Sequence, residues 1–190
     1  MSKFAVLFVY KLVPLRNTCC QLTLHSFSLF FVESFVVQLV CVDMQEMDPI
    51  PGAQFVRGDF TEEAIQTHIK YALRGHEADV VLSDLSPPTT GDKALNHDRI
   101  MELAEQASLF ARSVLRNGGV FVCKVFNGAG EKSFREALRA DFVKVRAVKP
   151  DASKKTSPEM YYVATGFVPH HLRGWPVPIS EESTGADIGE

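Results

Sequence analysis

The chain has 190 residues, 46% of them hydrophobic, and a formal net charge of -3 at pH 7. This length and composition fit one globular domain and exclude a fibrous or wholly disordered protein. The slight excess of acidic residues disfavours a protein that holds nucleic acid by its overall charge, although a local basic surface is compatible with it.

The first 36 residues form an atypical apolar segment, in which Lys3, Lys11 and Arg16 are the only charged residues before Glu33. No run reaches the roughly eighteen apolar residues that a membrane span requires, so no membrane segment is predicted. A targeting presequence, an error in the gene model and an unusual core strand are all compatible with this composition.

After this segment the pattern alternates between strands and helices. Strands are predicted at residues 36–42, 54–57, 79–83, 120–125, 142–148 and 160–165, and helices at residues 61–74, 97–116 and 130–140. Thr61 is the predicted N-cap of the first helix, Gly75 its stop, and residues 117–119 the stop of the second. Residues 85–96, rich in Pro, Thr and Gly, are predicted as a loop.

Strands that alternate with helices predict an α/β fold with a mostly parallel, doubly wound sheet. The last two strands have no helix between them, so we expect an antiparallel strand at one edge of the sheet. The domain is predicted over residues 37–167, followed by a flexible acidic tail over residues 168–190.

The cysteines and histidines predict no metal site. Cys19, Cys20, Cys41 and Cys123 form no C-x-x-C pair, and two of them lie in apolar, strand-like runs. We therefore expect buried free thiols and neither a zinc site nor a disulfide framework. His97, His170 and His171 have no cysteine or carboxylate partners at ligand spacing.

Two of the predicted strands carry a single charged residue at their carboxyl ends. Asp84 follows the strand at residues 79–83, and Lys124 lies near the end of the strand at residues 120–125. Because ligands of an open α/β sheet bind outside the carboxyl ends of its strands, these side chains are expected to face each other over a ligand crevice. A salt bridge with a purely structural role is the alternative interpretation.

Six segments resemble, in order and spacing, the FtsJ family of ribose 2′-O-methyltransferases. They are residues 43–50, 58–60, 82–87, 123–128, 149–154 and 157–161, and the resemblance covers about residues 37–167. It implies a Rossmann-like, S-adenosylmethionine-dependent enzyme that methylates large-subunit ribosomal RNA as a monomer, without a metal or a membrane. Residues 97–99 are most similar to the mitochondrial members, so we expect a mitochondrial protein, or otherwise a cytoplasmic or nuclear one.

The resemblance also implies a catalytic Lys-Asp-Lys-Glu tetrad, of which Asp84, Lys124 and Glu159 are three members. The first lysine and the Gly-rich cofactor loop on the first strand have no counterpart, so that strand is expected to be missing or replaced. Residues 4–9 and 27–32 are candidates for its position because both are short, apolar and β-prone. Without the loop glycines we expect weak or absent cofactor binding.

Methyl transfer to a hydroxyl group requires alignment of the reactants and removal of a proton. Lys124 either accepts that proton or orients the hydroxyl group and stabilises the alkoxide, while Asp84 stabilises its ammonium form. Glu159 is expected to hold a lysine or the ribose. Taken alone, a glutamate at the start of a strand is more often a solvated charge.

The same resemblance implies the binding residues. For the cofactor, Asp43 accepts the ribose hydroxyl groups, Asp59 the adenine amino group, Phe60 packs on the purine, and Asp84 lies near the methionine part. Each aspartate is otherwise read as a turn or capping residue. The RNA is expected to contact a basic stretch that includes Lys149, Lys154 and Lys155. The alternative is that this stretch is a solvated surface that binds no RNA.

Two other functions compete with this interpretation. A dehydrogenase would share the doubly wound sheet, but the chain has no G-x-G-x-x-G after a first strand. A non-catalytic RNA-binding or ribosome-assembly protein would account for the incomplete tetrad and the missing loop.

Overall fold

The computed structural model describes residues 7–14, 35–87, 91–128, 130–150 and 157–173. Its strands are β1 (Leu7–Pro14), β2 (Phe35–Asp43), β3 (Ala53–Arg57), β4 (Ala78–Ser83), β5 (Leu115–Phe126), β6 (Phe142–Val148) and β7 (Glu159–Phe167). Its helices are α1 (Glu63–Ala72), α2 (Lys93–Val114) and α3 (Glu131–Asp141), followed by a short 3-10 helix at His170–Leu172.

The seven strands form one sheet in the order β3-β2-β1-β4-β5-β7-β6. The pairs β2–β3 and β4–β5 are parallel, whereas β1 is antiparallel to both of its neighbours and β7 to both of its own. Five strands share one direction, which confirms the α/β fold, but four of the six strand pairs are antiparallel, so the sheet is mixed instead of mostly parallel. The reversed strand predicted at the edge lies one position farther in, because β6 pairs outside β7.

Strand β1 lies inside the sheet, between β2 and β4, so the expectation of a replaced first strand is confirmed. Leu7 pairs with Val42 on one side and Ser83 on the other, and Pro14 pairs with Phe35. The strand overlaps the predicted candidate 4–9 at residues 7–9, and candidate 27–32 lies outside the described residues. Because β1 runs backwards, its amino end lies at the edge where β2 and β4 end.

The sheet is held by apolar side chains that helices cover. On α2, the buried residues Ile100, Ala104, Ala107 and Ala111 recur at intervals of four, three and four, which places them on one face of the helix. Phe121 in β5 is fully buried. Its ring stacks on that of Phe142, with centroids 6.3 Å apart, and burial of a large apolar side chain contributes roughly 1.5–3 kcal/mol.

The predicted boundaries of α2 are wrong at both ends. The helix begins at Lys93, because the Asp92 side chain accepts hydrogen bonds from the backbone N–H groups of Ala94 at 2.9 Å and Leu95 at 3.2 Å. It ends at Val114 and β5 follows at once, so residues 117–119 lie within a strand. A side-chain cap therefore outweighs the loop-like composition that precedes it.

The predicted N-cap of α1 is also wrong. Glu62 occupies the cap position and makes no side-chain cap hydrogen bond, while the Thr61 hydroxyl donates to Asp59 Oδ1 at 2.7 Å. The predicted stop is confirmed, since α1 ends at Ala72 and Gly75 follows with a positive φ of 75°. A left-handed residue there lets the chain turn towards β4.

The segment after β7 packs on the domain. The buried Asp141 side chain pairs with Arg112 at the end of α2 and with Arg173 beyond the 3-10 helix. Residues 174–190 of the predicted tail lie outside the described residues. None of the helices in the described part of the chain has the length and apolar character needed to cross a membrane.

Candidate functional site

Strand pairing brings three polar side chains into one row. Ser83 pairs with Cys123, so Asp84 and Lys124 each follow by one residue on adjacent parallel strands. Lys124 in turn pairs with Tyr161 on β7. Because directly paired residues point to the same face of a sheet, these side chains are neighbours on one face.

The predicted meeting of Asp84 and Lys124 is confirmed. Lys124 Nζ lies 2.9 Å from Asp84 Oδ1 and donates to the Asp84 backbone oxygen at 3.1 Å. The Lys124 side chain is 5% exposed and that of Asp84 38%. An ammonium group has three N–H donors, so one remains for a third acceptor.

Tyr161 is a site residue that sequence reasoning missed. Its hydroxyl donates to Asp84 Oδ1 at 2.8 Å, so this oxygen accepts hydrogen bonds from both Tyr161 and Lys124. Burial raises the pKa of Tyr161, and the hydrogen bond and charge of Asp84 together with the charge of Glu159 raise it further. Tyr161 therefore stays protonated and acts as a donor. The alternation of side chains along the strand could have identified Tyr161 from the sequence, because residues 159 and 161 lie on the same face.

Glu159 stands at the start of β7, opposite Phe126. Ser157 fixes it from both sides: its hydroxyl donates to Glu159 Oε2 at 3.2 Å and accepts from the Glu159 backbone N–H at 3.3 Å. Lys149 Nζ donates to the Ser157 backbone oxygen at 2.7 Å. The predicted carboxylate thus lies two residues from Tyr161, on the same face of the sheet and at the same sheet edge.

A cavity of about 230 Å³ lies at the same edge. It is formed by the ends of β2 and β3, the loop after β4 and one residue of α2. Its lining is Val42, Asp43, Met44, Gly58, Asp59, Phe60, Thr61, Leu85, Ser86, Pro87 and Leu103. Asp84 is not part of this lining, but the next three residues of the chain are, so the cavity and the polar row are adjacent.

Asp43 carries the clearest sign of a ligand in this cavity. The residue is 2% exposed, and its Oδ1 accepts the backbone N–H of Gln45 at 2.8 Å. Its Oδ2 is buried and has no hydrogen-bond partner among the described residues. An unsatisfied buried polar atom costs about 1–3 kcal/mol, so a ligand hydroxyl group that donates to Oδ2 would be stabilised there.

The other predicted cofactor residues, Asp59 and Phe60, also line the cavity. Asp59 Oδ1 accepts both the backbone N–H of Thr61 at 2.9 Å and its hydroxyl group, so one oxygen of Asp59 stabilises a turn. Phe60 is 3% exposed and packs edge-on against Phe110, with ring centroids 5.3 Å apart. Phe60 is therefore both a core residue and a wall of the cavity.

The structure describes one of the three basic residues predicted to bind RNA. Lys149 is exposed and lies in the connection that follows β6, close in sequence to the exposed Lys144 and Arg146 of that edge strand. Lys154 and Lys155 lie outside the described residues.

Two of the four cysteines can be assessed. Cys41 and Cys123 are buried free thiols, as expected, and burial raises the pKa of each. Cys19 and Cys20 lie outside the described residues. Within the described part of the chain, no group of His, Cys, Asp and Glu side chains has the geometry of a metal site.

Comparison with known proteins gives a consistent result. Residues 24–167 match the family described as FtsJ-like methyltransferase. The chain is 46% identical to the ribosomal RNA large subunit methyltransferase E of Gluconobacter oxydans over 134 residues, which are 70% of this chain and 50% of that protein. It is 44% identical to the methyltransferase of the same name from Granulibacter bethesdensis over 135 residues, 71% and 58% of the two chains.

A solved structure supports the fold. A provisionally assigned ribosomal RNA methyltransferase from Plasmodium falciparum superposes with a TM-score of 0.60 at 25% identity, over 67% of this chain and 71% of that one. This chain spans about half the length of the curated relatives that it matches. Those relatives are bacterial, so they do not support the expected similarity to mitochondrial members.

Proposed function

Because the chain belongs to the FtsJ-like methyltransferase family, we propose that it transfers a methyl group from S-adenosylmethionine to a ribose 2′-hydroxyl of large-subunit ribosomal RNA. The observation that carries the proposal is the contact of 2.9 Å between Lys124 Nζ and Asp84 Oδ1. This pair lies beside a cavity in which the buried Asp43 Oδ2 has no partner among the described residues.

The residues around the cavity fit the adenosine part of the cofactor. Asp43 Oδ2 can accept a ribose hydroxyl, Asp59 can accept the adenine amino group, and Phe60 offers an apolar wall for the purine. Asp84 is the residue predicted to contact the methionine part of the cofactor. When bound, the cofactor supplies an electrophilic methyl group on a positively charged sulfur.

The protein has two tasks in this reaction: it must orient the acceptor oxygen and stabilise the charge that develops on it. Of the two roles predicted for Lys124, the structure favours orientation. Two of its N–H groups are directed to Asp84, and the third is left for the acceptor oxygen. As the alkoxide develops, Lys124 stabilises it, and the proton leaves to solvent water.

Asp84 and its neighbours keep this lysine in position. Tyr161 donates to the oxygen of Asp84 that faces Lys124, which fixes the carboxylate in orientation. Glu159, held by Ser157, lies at the start of the same strand and contacts the ribose of the RNA in our proposal. Lys149 and the predicted Lys154 and Lys155 contact the phosphates, so RNA affinity should fall steeply with salt.

The remaining assignments rest on the resemblance alone. We propose that the chain acts as a monomer on ribosomal RNA or the large ribosomal subunit, and that it works in mitochondria. The mitochondrial location rests only on the resemblance noted for residues 97–99, since the relatives named above are bacterial.

The test is transfer of a labelled methyl group to large-subunit ribosomal RNA, with enzyme in excess over RNA. We expect Lys124→Ala to reduce the rate by at least about 100-fold, the loss typical of removing one donor that stabilises a developing oxyanion. Glu159→Ala should also reduce the rate, because the ribose is then positioned less accurately. Lys132→Ala, at an exposed position of α3, is the matched control and should keep the wild-type rate. Wild-type transfer by the Lys124 variant would remove the proposed role, and RNA binding without transfer would favour an assembly protein.

A further inference from the structure

We propose that His97 is a positioning residue for the proposed methyl transfer. Its imidazole ring packs against Gly128, supports the chain where it leaves β5, and through that chain holds Glu159 at the site. The inference rests on the proposed function, in which Glu159 contacts the ribose of the RNA. Three observations on the described residues support it.

The first observation is the close contact between His97 and Gly128. A Cβ atom added to Gly128 would lie 2.8 Å from Cε1, 3.2 Å from Nδ1 and 3.4 Å from Nε2 of the imidazole ring. The first of these distances is shorter than real Cβ contacts, so the ring occupies the space that any larger residue would need. Gly128 also has a φ of 157°, which side chains rarely adopt. Glycine at this position therefore allows the ring to lie directly against the backbone.

The second observation is that a firmly packed helix carries the ring. His97 lies in the second turn of α2, and Ile100 and Met101, three and four residues later, are 1% and 7% exposed. Residues at these spacings share one face of a helix, so His97 belongs to the buried face of α2. Asn127 and Gly128, by contrast, are exposed. The helix therefore gives a rigid support to a segment that buries little surface of its own.

The third observation connects this segment to Glu159. The backbone N–H of Asn127 donates to the backbone oxygen of Pro158 at 3.0 Å, and Phe126 pairs with Glu159. Because Gly128 follows Asn127 directly, a shift of Gly128 away from α2 would loosen the bond to Pro158 and displace the Glu159 carboxylate. A misplacement of about 1 Å can cost roughly 100-fold in rate, so a smaller shift should have a measurable effect.

The first experiment measures the Asn127 amide directly and needs no methyl transfer. Hydrogen exchange of the Asn127 N–H, followed by NMR of the 190-residue chain, should be at least about fivefold faster in His97→Ala than in the wild type, because the end of the β5–β7 pairing opens more often. His68→Ala, at an exposed position of α1, is the matched control and should leave this rate unchanged. An unchanged rate in His97→Ala would overturn the inference.

The second experiment asks whether His97 acts through Glu159. Methyl transfer in a single turnover is measured at saturating RNA for the wild type, His97→Ala, Glu159→Ala and the double variant. We expect His97→Ala to lower the rate by about tenfold in the wild-type background and by less than about twofold in the Glu159→Ala background, because a side chain that is absent cannot be misplaced. Equal losses in the two backgrounds would contradict a role through Glu159.

The affinity for RNA separates positioning from direct contact. The dissociation constant for large-subunit ribosomal RNA, measured by filter binding, should agree within about twofold between His97→Ala and the wild type, because the ring contacts the protein and not the RNA. Weaker binding together with a wild-type rate at saturating RNA would show that the ring contacts the RNA, and the inference would fail.

The two proposals can fail separately. Methyl transfer by the wild type, together with unchanged Asn127 exchange in His97→Ala, would keep the proposed function and remove the inference. Faster exchange in His97→Ala without methyl transfer by the wild type would keep the contact and remove the proposed function.

Discussion

At the level of single residues, the site is organised around one carboxylate oxygen. Asp84 Oδ1 accepts hydrogen bonds from Lys124 at 2.9 Å and from Tyr161 at 2.8 Å. The sequence predicted Asp84 and Lys124 because each was a lone charge at the end of an apolar strand. It did not predict Tyr161, since a tyrosine in a strand is usually a core residue, and its partner depends on the long-range pairing of β5 with β7.

The role of Tyr161 can be tested with Tyr161→Phe, which removes the hydroxyl group and keeps the ring. We expect a loss of about 1 kcal/mol in the free energy of unfolding near neutral pH, because the lost hydrogen bond ends on a charged group that is partly exposed to water. Urea unfolding of the variant and the wild type measures the difference.

This difference should depend on pH. Since the pKa of Tyr161 is raised in the folded state, its contribution is fully present below the ordinary tyrosine value of about 10 and is lost as the pH rises through the folded-state value. The gap between wild type and variant should therefore be smaller at about pH 11 than at about pH 8. A gap that widens with pH would contradict the hydrogen-bond arrangement.

At the level of elements, most strand ends were predicted to within two residues, whereas α2 was misplaced at both ends and β5 begins five residues before its predicted start. The strand over residues 142–148 agrees residue for residue with β6, since alternation along an edge strand is a local property. The start of α2 was placed four residues too late, at 97 instead of Lys93. Asp92 is a suitable N-cap, but the Pro-, Thr- and Gly-rich residues before it favoured a longer loop.

Asp92→Ala tests the cap. The substitution removes the acceptor for the N–H groups of Ala94 and Leu95, and we expect it to lower the free energy of unfolding by about 1 kcal/mol. Asp92→Asn retains a capping oxygen and should stay within a few tenths of a kcal/mol of the wild type. Equal losses in the two variants, measured by chemical denaturation, would show that the side-chain cap does not stabilise the helix.

At the level of the whole molecule, the direction of β1 was beyond sequence reasoning. An apolar, β-prone run reads alike in either direction, and its orientation depends on connections and neighbours elsewhere in the chain. The replacement of the first strand was predictable, because the sequence has no counterpart for the family's first strand and its Gly-rich loop. The reversed strand keeps the sheet continuous between β2, which ends at Asp43, and β4, which Asp84 follows.

The atom to which the methyl group is attached distinguishes ribose 2′-O-methylation from methylation of a base. Large-subunit ribosomal RNA would be incubated with the chain and S-adenosylmethionine labelled in the methyl group, then digested to nucleosides and separated. We predict that the label appears in 2′-O-methylated nucleosides and that its rate of incorporation falls by at least about 100-fold when Lys124→Ala replaces the wild type. Label in base-methylated nucleosides, or equal label with Lys124→Ala, would contradict a site built on Asp84 and Lys124.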